Sequence, residues 1–324
     1  MKTLNLFYAE PDPDRWLAFD RYPRRLVRRI VRGRSHPSGQ ALVFLNLRAG
    51  LDQMGVSYRL NDYAYARANP GALVCLVGKS LLLDKPWENP ILFGAAGDRH
   101  PIDDPTLFKR LDVRRVLVPC SWVVEMFRPY WGTEIFAWPV GIDTDRWRPS
   151  SSLSKSTNVL LYDKIRWDHA HYEETLLNTV RQHLRLRGLT FQEIRYGYYQ
   201  EEQFRTSLEN CQAMIFLCEH ETQGLAYQQA LSCGVPILAW DRGGPWRDTN
   251  FYPDRVDFGP VTSVPYFDER CGRRFCDGAS FPSELDVFWD EFQAGAYAPR
   301  DFVIENLTLK ICARAYLDHV RAVT

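Results

Sequence analysis

Between Ala213 and Trp240 the chain runs from one apolar stretch to another through a polar loop and an Ala/Leu/Gln-rich segment. The stretches are Ala213–Cys218 and Val235–Trp240, and the connection carries Glu221 in its loop and Gly224 where helical character begins. This is the pattern of one strand–loop–helix–strand unit. In an open parallel sheet such a loop lies at the carboxyl end of a strand, where ligands bind. The unbonded N–H groups of the first helical turn attract anions, phosphate above all. A phosphate-bearing small molecule is therefore the expected ligand of this segment.

Similar alternation runs almost from end to end, which argues α/β architecture. In the first half the strand-like runs are Leu4–Ala9, Ser57–Leu60, Ala72–Val77, Ile91–Phe93, Val116–Pro119 and Ile135–Trp138. A helix is expected over Ser38–Met54, with apolar Leu42, Phe44, Leu45 and Leu51, and another over Trp122–Tyr130 behind Ser121. The Ser-rich Pro149–Thr157 reads as a linker. Beyond it come strand Asn158–Tyr162, helix Tyr172–Arg187, strand Gln192–Tyr196 and helix Glu201–Asn210. At 324 residues, two cores are expected rather than one. The expectation is two Rossmann-like domains facing across a cleft, residues 1–141 and 142–300. Residues 301–324 would form a helix crossing back to the first domain, amphipathic through Ile304, Leu307, Ile311 and Ala315. Gly244–Pro282 is rich in turn formers and reads as an irregular excursion.

Composition narrows the class of ligand. The net charge is formally zero, so no global field favours nucleic acid. No apolar run reaches the ~18 residues that span a bilayer, and the first residues read as a strand rather than a secretory leader. A cytoplasmic protein with reduced thiols is expected. Most of the eight cysteines sit in apolar segments, and the lone Cys271/Cys276 pair lacks the partners of a metal site.

Two motifs resemble those of GT-B fold glycosyltransferases of the retaining family-4, or "glycosyl transferases group 1", type. Pro139-Val-Gly-Ile-Asp-Thr-Asp-Arg-Trp-Arg-Pro149 is similar to that group's interdomain P-x-G-[VI]-D-x-x-x-[FW]-x-P segment. Glu221 to Asp241 is similar to its donor-binding E-x7-E segment, in the right order and about eighty residues further on. The resemblance implies a nucleotide-sugar donor, a sugar transferred to a hydroxyl acceptor, and retention at the anomeric carbon. Glu221 matches the first glutamate, near the donor sugar and its diphosphate. Thr222, Gln223, Gly224, Leu225 and Ala226 match the loop and helix start that bind this end of the donor. The second glutamate, which accepts from the ribose hydroxyls, falls on Gln229, where an amide keeps an acceptor but loses charge assistance. The family's diphosphate-binding Arg falls on Lys164, with Arg166 as the next cation and no counterpart of its usual Lys. Ordinary surface charges are the alternative for both.

In the first half, Gly39 matches a glycine that would approach the donor phosphates, although a plain turn explains it equally. Asp98 and His100 are the candidates to contact the acceptor or the donor sugar. A nucleotide sugar carries its own leaving group, so stabilising the departing diphosphate is the main task, and no metal or other cofactor is expected. Residues Arg21–Arg34 hold seven arginines interleaved with Leu26, Val27, Ile30 and Val31. That spacing suits a basic helix on an anionic membrane surface, with a glycan or lipid-linked acceptor, or else a solvated helix. Rival readings are a GT-B fold epimerase or phosphorylase, and a binding module with a decayed site.

Overall fold

The structure, a computed structural model, describes residues 3–8, 23, 39–94, 100–150 and 155–324. Asp98 and, apart from Pro23, the Arg21–Arg34 stretch lie outside them. The chain divides into two compact units. One holds Met1–Pro119, Phe127–Trp138 and Ala313–Thr324, the other Cys120–Met126 and Pro139–Cys312.

Among the described residues the first unit contains six strands: β1 (Leu4–Phe7), β2 (Tyr58–Leu60), β3 (Val74–Val77), β4 (Ile91–Gly94), β5 (Val113–Val118) and β6 (Ile135–Ala137). All pair in parallel, in the order β2-β1-β3-β4-β5-β6. β1, β3 and β4 are buried throughout, as central strands of a sheet covered on both faces are. Helix α1 (Gly39–Gln53) buries Val43, Phe44, Leu47 and Leu51, whereas Leu45 points to solvent.

The second unit contains β7 (Thr157–Asp163), β8 (Phe191–Arg195), β9 (Cys211–Leu217), β10 (Ile237–Trp240) and β11 (Gly272–Phe275). These form a parallel sheet in the order β11-β10-β9-β7-β8. Successive residues face opposite cores. Leu160, Tyr162, Met214, Phe216 and Ile237 pack with Phe204, Tyr227 and Leu231, while Leu161, Ile215, Leu217 and Trp240 pack with Leu177, Val180, Leu285 and Phe288. Each such side chain contributes about 1.5–3 kcal/mol by leaving water. The order has one consequence for binding: from β7 the chain steps to β8 on one side, then crosses to β9 on the other. The carboxyl ends of β7 and β9 therefore flank a topological switch point, where open α/β sheets bind ligands.

Three sequence expectations change. The helix expected over residues 301–324 is two helices, Pro299–Asn306 and Leu309–Arg321. At the break Ile142 bridges Thr308, and the Leu307 carbonyl accepts the Ile142 N–H at 2.8 Å, so its backbone bond is transferred rather than lost. Gly141 makes this approach possible: a Cβ there would lie 2.6 Å from the Leu309 Cα. The break also resets the apolar stripe, so Ile304 and Ile311 are exposed while Val303, Leu307, Cys312 and Tyr316 are buried. The helix expected over Tyr172–Arg187 starts at His169 and widens to a π turn at Glu173–Leu177. Within Gly244–Pro282, β11 adds an ordered edge strand to the second sheet.

Candidate functional site

The switch point of the second unit is built from three strand ends in register, with Asp163 beside Leu217 and Leu217 beside Trp240. The Lys164 N–H continues the ladder by donating to the Leu217 carbonyl at 2.8 Å. Its ammonium forms an ion pair with the Glu221 carboxylate. The two side chains are 14 % and 11 % exposed, and the Tyr196 ring centroid lies 4.6 Å from Nζ. Burial pushes the Lys164 ammonium below the usual lysine range. Cys218 lies alongside, its Sγ 3.8 Å from Glu221 Oε1, and burial pushes its thiol up to about 11. It stays protonated at neutral pH and is no nucleophile.

The loops bearing these groups are held by residues that sequence reasoning did not single out. Glu219 is fully buried, and its carboxylate accepts the backbone N–H groups of Arg166 and Trp167. The Asp241 carboxylate accepts from Ser263 N at 2.9 Å and Thr262 Oγ1 at 2.8 Å, and the Thr262 carbonyl accepts the Glu221 N–H at 3.0 Å. Trp122 Nε1 donates to the Glu221 carbonyl at 3.1 Å. His220 stacks on Trp167 with centroids 5.0 Å apart, and its Nε2 accepts the Arg247 N–H at 3.2 Å. Burial, then the charges of Arg242 and Arg166, push His220 down to about 4, so it is neutral at pH 7. Among the described residues no group of His, Cys, Asp and Glu could hold a metal ion.

Solved structures resemble this architecture, two of them over its whole length. AviGT4, a glycosyltransferase of avilamycin A biosynthesis, matches with 13% identity and a TM-score of 0.55, covering 99% of this chain and 98% of its own. Sucrose-phosphate synthase from Thermosynechococcus elongatus matches with 12% identity and a TM-score of 0.60, covering 99% of each chain. The pneumococcal O-GlcNAc transferase GtfA matches with 13% identity and a TM-score of 0.51, over 80% of this chain and 59% of its own. The fold is that of the GT-B glycosyltransferases. No protein-family model matches the sequence, and neither does any curated protein sequence.

Within this GT-B fold, the structure brings Lys164 and Glu221 together, with Arg166 on the same loop as Lys164. Arg166 is exposed, and its guanidinium lies 4.7 Å from the Trp167 ring centroid. The segment after Glu221 enters helix α2 (Leu225–Ser232) through Gly224, whose φ is 73° and which caps the helix without a side chain. Thr222, Leu225, Ala226 and Gln229 are half-buried, while Gln223 and Gly224 are buried. The amide group of Gln223 has no hydrogen-bond partner at either end. Buried Gln228 ties the turn together by donating to the Gln223 carbonyl at 2.7 Å. In the first unit, Gly39 opens α1, and among the described residues no atom lies within 4 Å of where a Cβ would stand there. His100 is buried there, its ring 5.2 Å from both Phe127 and Tyr130, and its Nδ1 accepts the Ile102 N–H at 3.1 Å, capping a short turn.

Proposed function

We propose that this chain is a glycosyltransferase that moves a sugar, with retention, from a nucleotide-sugar donor to a hydroxyl of a glycan, lipid-linked or small-molecule acceptor. One observation carries the reading: the desolvated Lys164–Glu221 pair stands at the carboxyl edge of β7 and β9, beside a helix start whose first turn has no side-chain cap. A cation and free N–H groups at one switch point suit a diphosphate. A carboxylate in the same place suits the hydroxyls of the adjoining sugar. GtfA, of like fold, was solved with UDP and GlcNAc.

In this reading the departing diphosphate is stabilised by Lys164, Arg166 and the amides of Gly224–Ala226, with no metal. Glu221 lies against the transferred sugar and Gln229 against the ribose. Glu219 and Asp241 act indirectly, by fixing the loops that present these groups. The test is titration of the protein with UDP, GDP, ADP and dTDP by calorimetry and thermal unfolding. A bound nucleotide at a hundred times its Kd stabilises the fold by about 2.7 kcal/mol. No response to any of the four overturns the donor site.

A further inference from the structure

Several arginines elsewhere in the second unit are matched by carboxylates: Arg181 lies between Glu173 and Glu193, and Arg273 between Glu284 and Glu291. Arg242 and Arg247 are not. Among the described residues neither pairs with a carboxylate, and the Nε of each is buried with no hydrogen-bond partner. A guanidinium keeps its proton at any working pH, so a charge taken partly out of water calls for an anion. Burial, together with the charge of Arg247, disfavours the Arg242 cation.

Both lie at the candidate site. Because Trp240 pairs with Leu217, Arg242 leaves β10 at the level where Glu219 leaves β9. The Arg242 Nη2 donates to the Pro245 carbonyl at 2.8 Å, which folds the guanidinium back over its own loop. The backbone of Arg247 is tied to His220, the residue before Glu221. Asp241, the first residue after β10, is anchored to Thr262 and Ser263, which fixes the start of this loop. The carboxylate nearest Arg242 in the ladder, Glu219, is already engaged by two backbone N–H groups. The ammonium of Lys164 is likewise engaged, by Glu221.

We infer that Arg242 and Arg247 bind the diphosphate of the nucleotide-sugar donor from the β10 side, supplying the positive charge that the Lys164–Glu221 pair has already neutralised. The inference rests on the proposed function. It places the charge that offsets the departing nucleoside diphosphate on the loop after β10 rather than only on the loop after β7. Neither arginine makes or breaks a bond; each holds oxygens that gain charge as the sugar leaves.

The experiment is calorimetric titration of the full chain with UDP, GDP, ADP and dTDP, then with the monophosphate of whichever binds. Arg242→Gln and Arg247→Gln should each weaken the diphosphate roughly tenfold, the scale of a lost charge-assisted hydrogen bond. The monophosphate should weaken much less, so that the diphosphate preference shrinks. Arg187→Gln removes the same charge at a site paired with Asp286 and should change neither affinity. Should a glutamine variant fail to fold, Arg242→Lys and Arg247→Lys keep the charge without the planar fork and should give an intermediate loss. If the wild type binds a diphosphate and the variants bind it equally well, the assignment of Arg242 and Arg247 is overturned alone. If the wild type binds none of the four, the glycosyltransferase reading falls and this inference with it.

Discussion

Glu219 holds the backbone of Arg166: its carboxylate accepts that N–H at 2.9 and 3.2 Å, and the Trp167 N–H at 2.9 Å. Burial pushes this carboxyl above the usual carboxylate range, while the Trp167 and Arg166 N–H groups pull it back down. A buried acid in this position acts as a clamp. It fixes the turn after β7, and with it the direction in which Lys164 leaves the strand.

Removing the clamp should therefore cost both stability and binding. Glu219→Ala leaves two part-buried N–H groups without their acceptor, at about 1–3 kcal/mol each less whatever water recovers. Glu219→Gln keeps one carbonyl oxygen as acceptor and should lose less than half as much. Urea unfolding and nucleotide titration of the two variants check this. Equal stability of Glu219→Ala and wild type would sink the clamp.

Lys164 and Glu221 should behave as a coupled pair. Glu221→Ala is expected to abolish turnover while nucleoside diphosphates still bind. Each single change leaves one charge desolvated and unpaired, so Lys164→Met and Glu221→Leu should each cost more than their share of the double variant. A coupling of about 1–3 kcal/mol from the four unfolding curves is the expected result. Additive costs would mean that the pair is a loose surface contact. Normal turnover in Glu221→Ala would remove that residue from the site.

Gln229 offers a milder test of the donor reading. It is half-buried on α2, one turn beyond Leu225. If its amide faces the ribose hydroxyls, Gln229→Glu should bind nucleotide equally or up to about fivefold tighter, because a carboxylate adds charge assistance. A large loss of affinity in calorimetry would show that Gln229 meets some other group.

The central strands were legible because a parallel sheet buried on both faces writes itself as short unbroken apolar runs. Val74–Val77, Ile91–Gly94 and, within β9, residues 213–217 are of this kind. The edge strand β11, with two arginines in four residues, carries no such signal. The broken last helix was hidden because Leu307 and Thr308 interrupt it through a partner far away in sequence, Ile142. At the site, Lys164 and Glu221 could be matched because each sits one or a few residues past an apolar strand. Glu219, Asp241 and Trp122 could not, since their roles depend on bonds to backbone groups of distant loops. A signal was present for Glu219: an acid directly after an apolar run, in a position with no reason to face water.

Gly224 should tolerate no side chain. It sits at φ 73°, and a Cβ there would fall within the ring of Tyr227. That ring cannot move aside: it is fully buried, and its hydroxyl accepts the Tyr266 N–H at 3.0 Å. Gly224→Ala is expected to cost about 1–2 kcal/mol for the left-handed backbone and a further 1–3 kcal/mol for overpacking. Thermal unfolding measures it, and a loss below about 1 kcal/mol would contradict the geometry.

His220 gives the stability a defined pH dependence. Its ring is stacked on Trp167, lies edge-on to Trp122 with centroids 5.9 Å apart, and is held at about 4 against 6.5 for free imidazole. A base whose folded value is depressed stays neutral while the unfolded chain takes up a proton. Stability is therefore lost as pH falls from about 6.5 towards 4, and it is fully present above 6.5. The span of about 2.5 pH units at about 1.4 kcal/mol each makes the effect on the order of 3 kcal/mol. Other groups titrate in the same range, so the informative quantity is the difference between wild type and His220→Gln, which keeps an acceptor for the Arg247 N–H but cannot be protonated. Urea unfolding at pH 7, 6, 5 and 4 should show the wild type losing stability faster than the variant. Parallel curves would mean that His220 is free to take up a proton in the folded protein.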